Sequence, residues 1–320
     1  MDVRLLPLTP ATFQPHPLHG PDRCWSETNC AIDLWIEILH ALGLAPEAGL
    51  GFTATQDFEG DQFTFGKFSL SELGLLYGLR AHELAIYEPV EQQILRQMQR
   101  GRMCLVEVDP YYLPDTGQAA YRRQHGKTTI APNMLDLENR RLEYFHNAGY
   151  FRLEGEDFDG ALRPAMAGGA LFRPYVEFTS LDPEPPPPQE LRLRAAELYA
   201  RHWAERPQQN PIRAFQEAAP EAVRALAGAG EQAFHDYAFH NLRMLGSNFD
   251  LLGAGLTWLY GAGDPHVALC ETIAETAKAA QFQLARAVAR GRFDGFAQAL
   301  DPAAQAWERL FDPAQALHAA

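Results

Sequence analysis

Apolar residues recur at helical spacing immediately after Cys30: Ala31, Leu34 and Trp35, Ile38 and Leu42, with Gly43 ending the run. Recurrence at three and four residues marks an amphipathic helix, and a glycine just past the last apolar position is a stop signal. The polar stretch Trp25-Ser26-Glu27-Thr28-Asn29 leads into it, which places Cys30 in the first turn. Further on, the pattern predicts short helices at Ser69–Tyr77, opened by Ser71, and at Val90–Gln99, stopped by Gly101. Met103–Val108 alternates little and reads as a strand buried on both faces. Lys127–Ala131 and Leu142–His146 read as two strands joined through the polar turn Asp136-Leu137-Glu138-Asn139. Phe63–Phe68 is an aromatic strand candidate, and Tyr175–Thr179 a closing strand.

The run Pro185–Pro188 cannot lie inside a helix or a central strand, so it marks a boundary. Helices and short strands alternate before it, and almost everything after it is helical. The clearest helix there spans Glu231 to Tyr260, with Leu242, Leu245, Phe249, Leu252, Leu256 and Leu259 forming one apolar stripe. The expected organisation is an α+β domain over residues 1–182, a Pro-rich linker over 183–190 and an all-α domain over 191–320.

Composition narrows the function classes. Hydrophobic content of 47% and charged content of 21% are globular values. No stretch approaches the roughly 18 apolar residues of a membrane span, and the first residues lack a signal-peptide pattern, so a cytoplasmic protein without a membrane partner is expected. The cysteines at 24, 30, 104 and 270 form no CxxC pair and no disulfide framework, in keeping with a reducing compartment. A net charge of −14 argues against a nucleic-acid partner. Against that balance Arg122, Arg123 and Lys127 gather around His125. No phosphate-binding glycine loop, dinucleotide fingerprint or HExxH is present, and His16, His19, His40 and His82 show no zinc spacing, so no metal is expected. The acidic groups at Asp57–Asp61 and Glu154–Asp159 lack a calcium-loop pattern and read as solvated turns.

A cysteine in the first turn of a helix faces unpaired N–H groups and the positive end of the dipole, which favour the nucleophilic thiolate. Such a nucleophile needs a base, commonly oriented by a third polar group. His125 precedes one predicted strand and Asn147 follows its partner, so an antiparallel hairpin would bring them together beside Cys30. His146 competes with Asn147 for this role, and Cys24 with Cys30. Each residue alone is weakly specific: most isolated cysteines are small core residues.

The segments Asp22–Gly43, Val106–Pro114, Tyr121–Ile130, Tyr144–Tyr150 and Tyr237–Phe249 resemble an uncharacterised bacterial family known as a domain of unknown function. More distantly, the first 180 residues or so are similar to the N-terminal domain of butirosin biosynthesis protein H, a papain-like acyltransferase. There a cysteine stands about thirteen residues before the glycine that ends its helix, as Cys30 and Gly43 do here. A Val-Asp-x-Tyr-Tyr-Leu-Pro-like strand, a histidine opening a strand and an Asp or Asn ending the next correspond to Val108–Leu113, His125 and Asn147. Two departures stand out. Cys24 occupies the place where papain-like enzymes often carry an oxyanion-holding glutamine, which leaves Asn29 or Trp25 as substitutes. Gly126-Lys127-Thr128-Thr129 follows the histidine where an apolar run is usual.

The resemblance implies a papain-like cysteine-enzyme domain followed by the helical one, with Cys30, His125 and Asn147 as a triad. The implied reaction moves an acyl group, aminoacyl in the relative, from a carrier-protein phosphopantetheine thioester through a Cys30 thioester to an amine or alcohol acceptor. No bound cofactor is expected; phosphopantetheine would arrive on the carrier. Arg122, Arg123 and Lys127 would form its docking surface, since carriers are acidic. Tyr237, Asn241, Met244 and Asn248 share one stripe of the long helix, with His240 and Arg243 flanking it, and the spacing places Tyr237, Asn241, Arg243 and Asn248 as a lid over a small-molecule acceptor. Hydrolysis by the same three residues, as an amidase, peptidase or thioesterase, is the alternative within enzymes. A non-catalytic protein that docks a carrier or partner on a papain-like shell is the alternative outside them.

Overall fold

The computed structural model describes residues 2–163, 176–226, 228–290 and 295–312. It is an α+β protein: an antiparallel sheet with helices, followed by a helical C-terminal region. The compact units follow the chain less simply than the ranges 1–182 and 191–320. The first comprises residues 1–17, 29–45 and 69–186; the second comprises 18–28, 46–68 and 187–320.

In the first unit, α1 (Cys30–Ala41), α2 (Leu70–Tyr77), α3 (Val90–Met98) and α4 (Glu156–Leu162) accompany a seven-stranded sheet. Its strands are β1 (Asp2–Arg4), β2 (Ala81–Leu84), β3 (Arg102–Val108), β4 (Thr128–Asp136), β5 (Arg141–His146), β6 (Gly149–Glu154) and β7 (Val176–Ser180). The order is β2-β7-β3-β4-β5-β6, with β1 pairing the far end of β4. The β3 strand is interior, as its unbroken apolar run requires: Met103, Cys104 and Val106 are fully buried. The β7 strand is interior too, between β2 and β3, where a closing strand was expected; Tyr175 of that expectation lies outside the described residues. Phe63–Phe68 forms no strand beyond the single bridge Phe58–Phe63. Its aromatic rings pack instead, Phe63 against Phe58 and Phe215 and Phe68 against Phe52.

The β4–β5 hairpin forms as its polar turn predicts, with Ala131 opposite Phe145 and a register shift between Pro132 and Met134. Asn133 sits at that shift. Its backbone oxygen accepts from Leu5 N at 2.9 Å, its side-chain oxygen accepts from Leu6 N at 2.8 Å, and its amide donates to Leu6 O and Tyr150 Oη. Helix α1 packs on β4 and β5, burying Ile32, Leu34, Ile36, Ile38 and Leu39 completely. Asn29 caps it by accepting from the Ala31 and Ile32 N–H groups, both at 3.0 Å.

The second unit holds α5 (Pro188–Ala204), α6 (Pro211–Ala225), α7 (Glu231–Ala238), α8 (Met244–Tyr260), α9 (Pro265–Arg290) and α10 (Asp301–Leu310). Pro188 lies in the first turn of α5, where a missing N–H costs nothing, so the helix starts inside the expected linker. The single helix expected over 231–260 is interrupted by a π turn at Phe239–Arg243. The leucine stripe that starts within it is core: Leu242, Leu245, Leu252 and Leu256 are fully buried. The small residues of α8 receive side chains. A Cβ on Gly255 would lie on the Tyr199 hydroxyl of α5, and one on Gly246 would fall 2.3 Å from the Trp25 indole nitrogen. Among the described residues no helix is long and apolar enough to cross a membrane.

Candidate active site

Cys30 is the first residue of α1, and its sulfur faces the opening residues of β4. The Thr128 hydroxyl and the Thr129 backbone N–H both point toward it and favour the thiolate, as does the Lys127 ammonium. Burial outweighs them, with the Asp33 carboxylate adding to it, and pushes the thiol above its ordinary value. The resting residue is therefore a neutral thiol, and the helix start alone does not ionise it.

Thr128 leads further. Its Oγ1 lies 2.8 Å from His146 Nε2, and His146 Nδ1 lies 2.5 Å from Asp115 Oδ2. The Tyr144 hydroxyl donates to the other Asp115 oxygen. Burial, reinforced by Asp115, pushes the Tyr144 phenol up, which keeps it a protonated donor. These groups are enclosed: the His146 side chain is 2% exposed and that of Asp115 5%. A carboxylate only accepts, so His146 carries a proton on Nδ1, and as a neutral imidazole it presents Nε2 as an acceptor. Thr128 then donates to Nε2 and is free to accept from the Cys30 thiol. Asp115, His146 and Thr128 form one hydrogen-bonded line within the first unit, and the hydroxyl at its end faces the Cys30 sulfur.

Local sequence explains the placement. Tyr144 and His146 are two apart on β5 and share a face. The register puts His146 opposite Ile130, so Thr128 is its diagonal neighbour on that face. Asp115 comes from a 3₁₀ turn, Pro114–Thr116, in the connection between β3 and β4.

The other expected site residues are placed as follows. His125 is 68% exposed at its side chain; its Nδ1 lies 2.6 Å from Asp109 Oδ2, and its ring stacks on Tyr111 at 4.2 Å. Asp109 also accepts from the Tyr111 and Gly126 N–H groups and so ties this loop together. Asn147 sits in the tight β5–β6 turn with φ 45°, in the left-handed region. Among the described residues no hydrogen bond joins it to His125. Arg122 pairs with Asp157 at 2.5 Å and Lys127 with Glu107 at 2.7 Å, so two cations of the basic cluster are already matched by carboxylates. Asn29 spends its side-chain oxygen on the α1 cap, which leaves the Cys30 N–H outside that cap.

Cys24, Trp25, Tyr237, Asn241, Arg243 and Asn248 belong to the second unit. Burial pushes the Cys24 thiol up, with Asp250 adding to it. The Trp25 indole N–H donates to Ala274 O at 3.0 Å, and Lys278 lies over its ring. Arg243 donates to Thr28 O and to Glu27 Oε2 at 3.0 and 2.9 Å. Asn241 and Asn248 donate to the carbonyls of Tyr237 and Met244 on their own helical stretch, and burial pushes the Tyr237 phenol up.

Sequence reasoning passed over Asp115 and Thr128 and weighed His146 only as a competitor of Asn147. The alternation on β5 and the hairpin register were available signals for His146 and Thr128. Asp115 gave none. Among the described residues no group of three or more His, Cys, Asp or Glu side chains is placed to hold a metal ion.

No curated protein matches the chain. Residues 14–181 match the DUF1839 N-terminal domain and residues 188–316 match the DUF1839 C-terminal domain, both domains of unknown function. The line from Asp115 to Cys30 lies within the first of these ranges, and the chain belongs to the DUF1839 family.

Proposed function

We propose that this protein is a cysteine-dependent acyl-transfer enzyme in which Cys30 carries the acyl group as a thioester. The observation that carries the reading is the hydrogen-bonded line from Asp115 through His146 to Thr128, whose hydroxyl faces the Cys30 sulfur. It supports His146 as the base in place of His125, acting through a hydroxyl. As Cys30 attacks an acyl carbonyl, its proton passes to Thr128 Oγ1 while the Thr128 proton passes to His146 Nε2. A new S–C bond forms, the bond to the leaving group breaks, and imidazolium returns the proton to that group. Asp115 holds the Nδ1 proton throughout and stabilises the imidazolium. A second pass in the same sense delivers the acyl group to an acceptor and restores the thiol.

A thioester donor suits a thiol nucleophile, because one sulfur displaces another at little cost in leaving-group basicity. The distant similarity to the butirosin-type papain-like domain supports the same class, with a carrier-borne phosphopantetheine thioester as donor and an amine or alcohol as acceptor. The test is intact-mass analysis after incubation with aminoacylated carrier proteins and with aminoacyl-pantetheine. An acyl adduct on Cys30 that vanishes in Cys30→Ser and His146→Asn but persists in His125→Asn is the expected result. An adduct on Cys24 or Thr128, or none with any donor, overturns it. Loss of the adduct to water rather than to added amine would mark a hydrolase, and carrier binding without any adduct would mark a docking protein.

A further inference from the structure

The second unit contains a cleft of about 310 Å³, lined among others by Phe52, Gln56, Thr64, Phe65, Lys67 and Asn248. Two buried amides in its lining share one acceptor: Gln56 Nε2 donates to Met244 O at 2.9 Å and Asn248 Nδ2 donates to the same oxygen at 3.0 Å. A carbonyl can only accept, so neither amide can turn round without breaking that bond. Their own oxygens, Gln56 Oε1 and Asn248 Oδ1, are left buried and without a hydrogen-bond partner. Gln56 is 4% exposed and Asn248 1%. Buried acceptors left unmatched are rare and call for an explanation.

The backbone around the cleft is unusual in two further ways. One side is a ten-residue 3₁₀ stretch, Pro46–Thr55, where such helices seldom exceed three or four residues. The π turn Phe239–Arg243 immediately precedes Met244, whose carbonyl the two amides share. The Phe63 N–H, next to the lining residue Thr64, donates to His240 O within that turn at 3.3 Å. π turns inside α-helices concentrate at functional positions. Lys67 lies at the cleft and makes no ion pair among the described residues.

We infer that this cleft binds a free α-amino acid. The two orphan oxygens supply acceptors for its ammonium group, Lys67 meets its carboxylate, and Phe52 and Phe65 offer an apolar wall to the side chain. The volume lies at the lower end of the range for small-ligand sites, which fits a metabolite of this size. The inference stands apart from the Cys30 chemistry and can be examined equally in Cys30→Ser.

The experiment is thermal shift followed by calorimetry on the full chain, using the standard L-amino acids and their N-acetyl counterparts. A subset of free amino acids should raise the melting temperature in a concentration-dependent way, and N-acetylation should abolish the effect. Gln56→Met and Asn248→Leu should each weaken binding at least about tenfold, as expected for a charged group losing a buried partner. Lys67→Ala, an exposed change that leaves the fold alone, should weaken binding and remove the preference for a free carboxylate. No shift with any amino acid overturns the inference. So does an equal shift from the N-acetyl forms, or affinity unchanged in all three variants.

Discussion

Thr128 and His146 meet diagonally across β4 and β5, hydroxyl to imidazole at 2.8 Å, Thr128 lying two residues along β4 from the position directly opposite. That offset points the imidazole along the strands toward the Cys30 end of β4. The hydroxyl is thus the only described group hydrogen-bonded to His146 Nε2, and its removal has two separable effects. Thr128→Val keeps the shape but leaves Nε2 buried and unpaired, at a cost of about 1–3 kcal/mol in a urea melt. It also removes the hydroxyl that takes the Cys30 proton and then donates to the thiolate, so the thiol becomes harder to ionise and slower to alkylate at fixed pH. Thr128→Ser should restore both, and a slow-alkylating Ser variant would argue against the relay.

The two histidines should differ sharply in what they support. His125→Asn removes an exposed pair with Asp109 and should cost less than about 1 kcal/mol. His146→Asn leaves the Asp115 carboxylate buried beside Tyr144 without its main partner, at about 3–5 kcal/mol. Chemical denaturation of both variants reads this directly, and equal losses would show that the buried pair is not special.

The raised Cys30 thiol predicts a pH dependence with a definite sign. The folded thiol stays protonated where the unfolded one, with an ordinary value of 9.0, begins to ionise. The unfolded state therefore loses its proton first, and stability present below pH 9 falls as pH rises toward the folded value. Wild type should lose stability relative to Cys30→Ser as pH rises past the ordinary thiol value of 9.0, measured by urea melts on both sides of it. In alkylation profiles Cys104, pushed up to about 12 by burial, should stay silent while Cys30 reacts only above its ordinary range.

Gly160 is a packing test for the loop that carries Asp115. A Cβ there would fall 2.0 Å from the Tyr112 ring, and Tyr112 lies in the turn just ahead of Pro114–Thr116. Gly160→Ala should therefore cost about 1–3 kcal/mol in thermal or urea unfolding. It should also displace Asp115 and lower Cys30 reactivity, whereas a full-strength thiol in a destabilised variant would uncouple the two.

Much of the fold was legible because local rules and tertiary demands agreed. The apolar stripe after Cys30, the unbroken run Met103–Val108 and the turn at Asp136–Asn139 each became the element they predict. Phe63–Phe68 misled because aromatic enrichment marks buried surface in general, and these rings pack among helices. The π turn left no trace in the leucine spacing, since it falls at the edge of the stripe. At the candidate site, the hairpin argument pointed to the two strands that carry Thr128 and His146, but to residues just outside them. His146 and Thr128 lie inside the strands, where alternation reads them as ordinary core or face positions. Asp115 reaches them from a loop whose path no periodicity describes.

The alternation of the chain between its two units bears on how it can be made and cut. Residues 18–28 and 46–68 leave the ribosome long before 187–320, the stretch with which they form a compact body. Until then Trp25 and Phe63 emerge as apolar surface without their final neighbours Gly246, Ala274 and Phe215. A fragment ending at the proline run would carry those residues permanently unsheltered, and one starting there would lack the segments that complete its core. The proline run is therefore a poor place to divide this protein, although it is the most conspicuous boundary in its sequence.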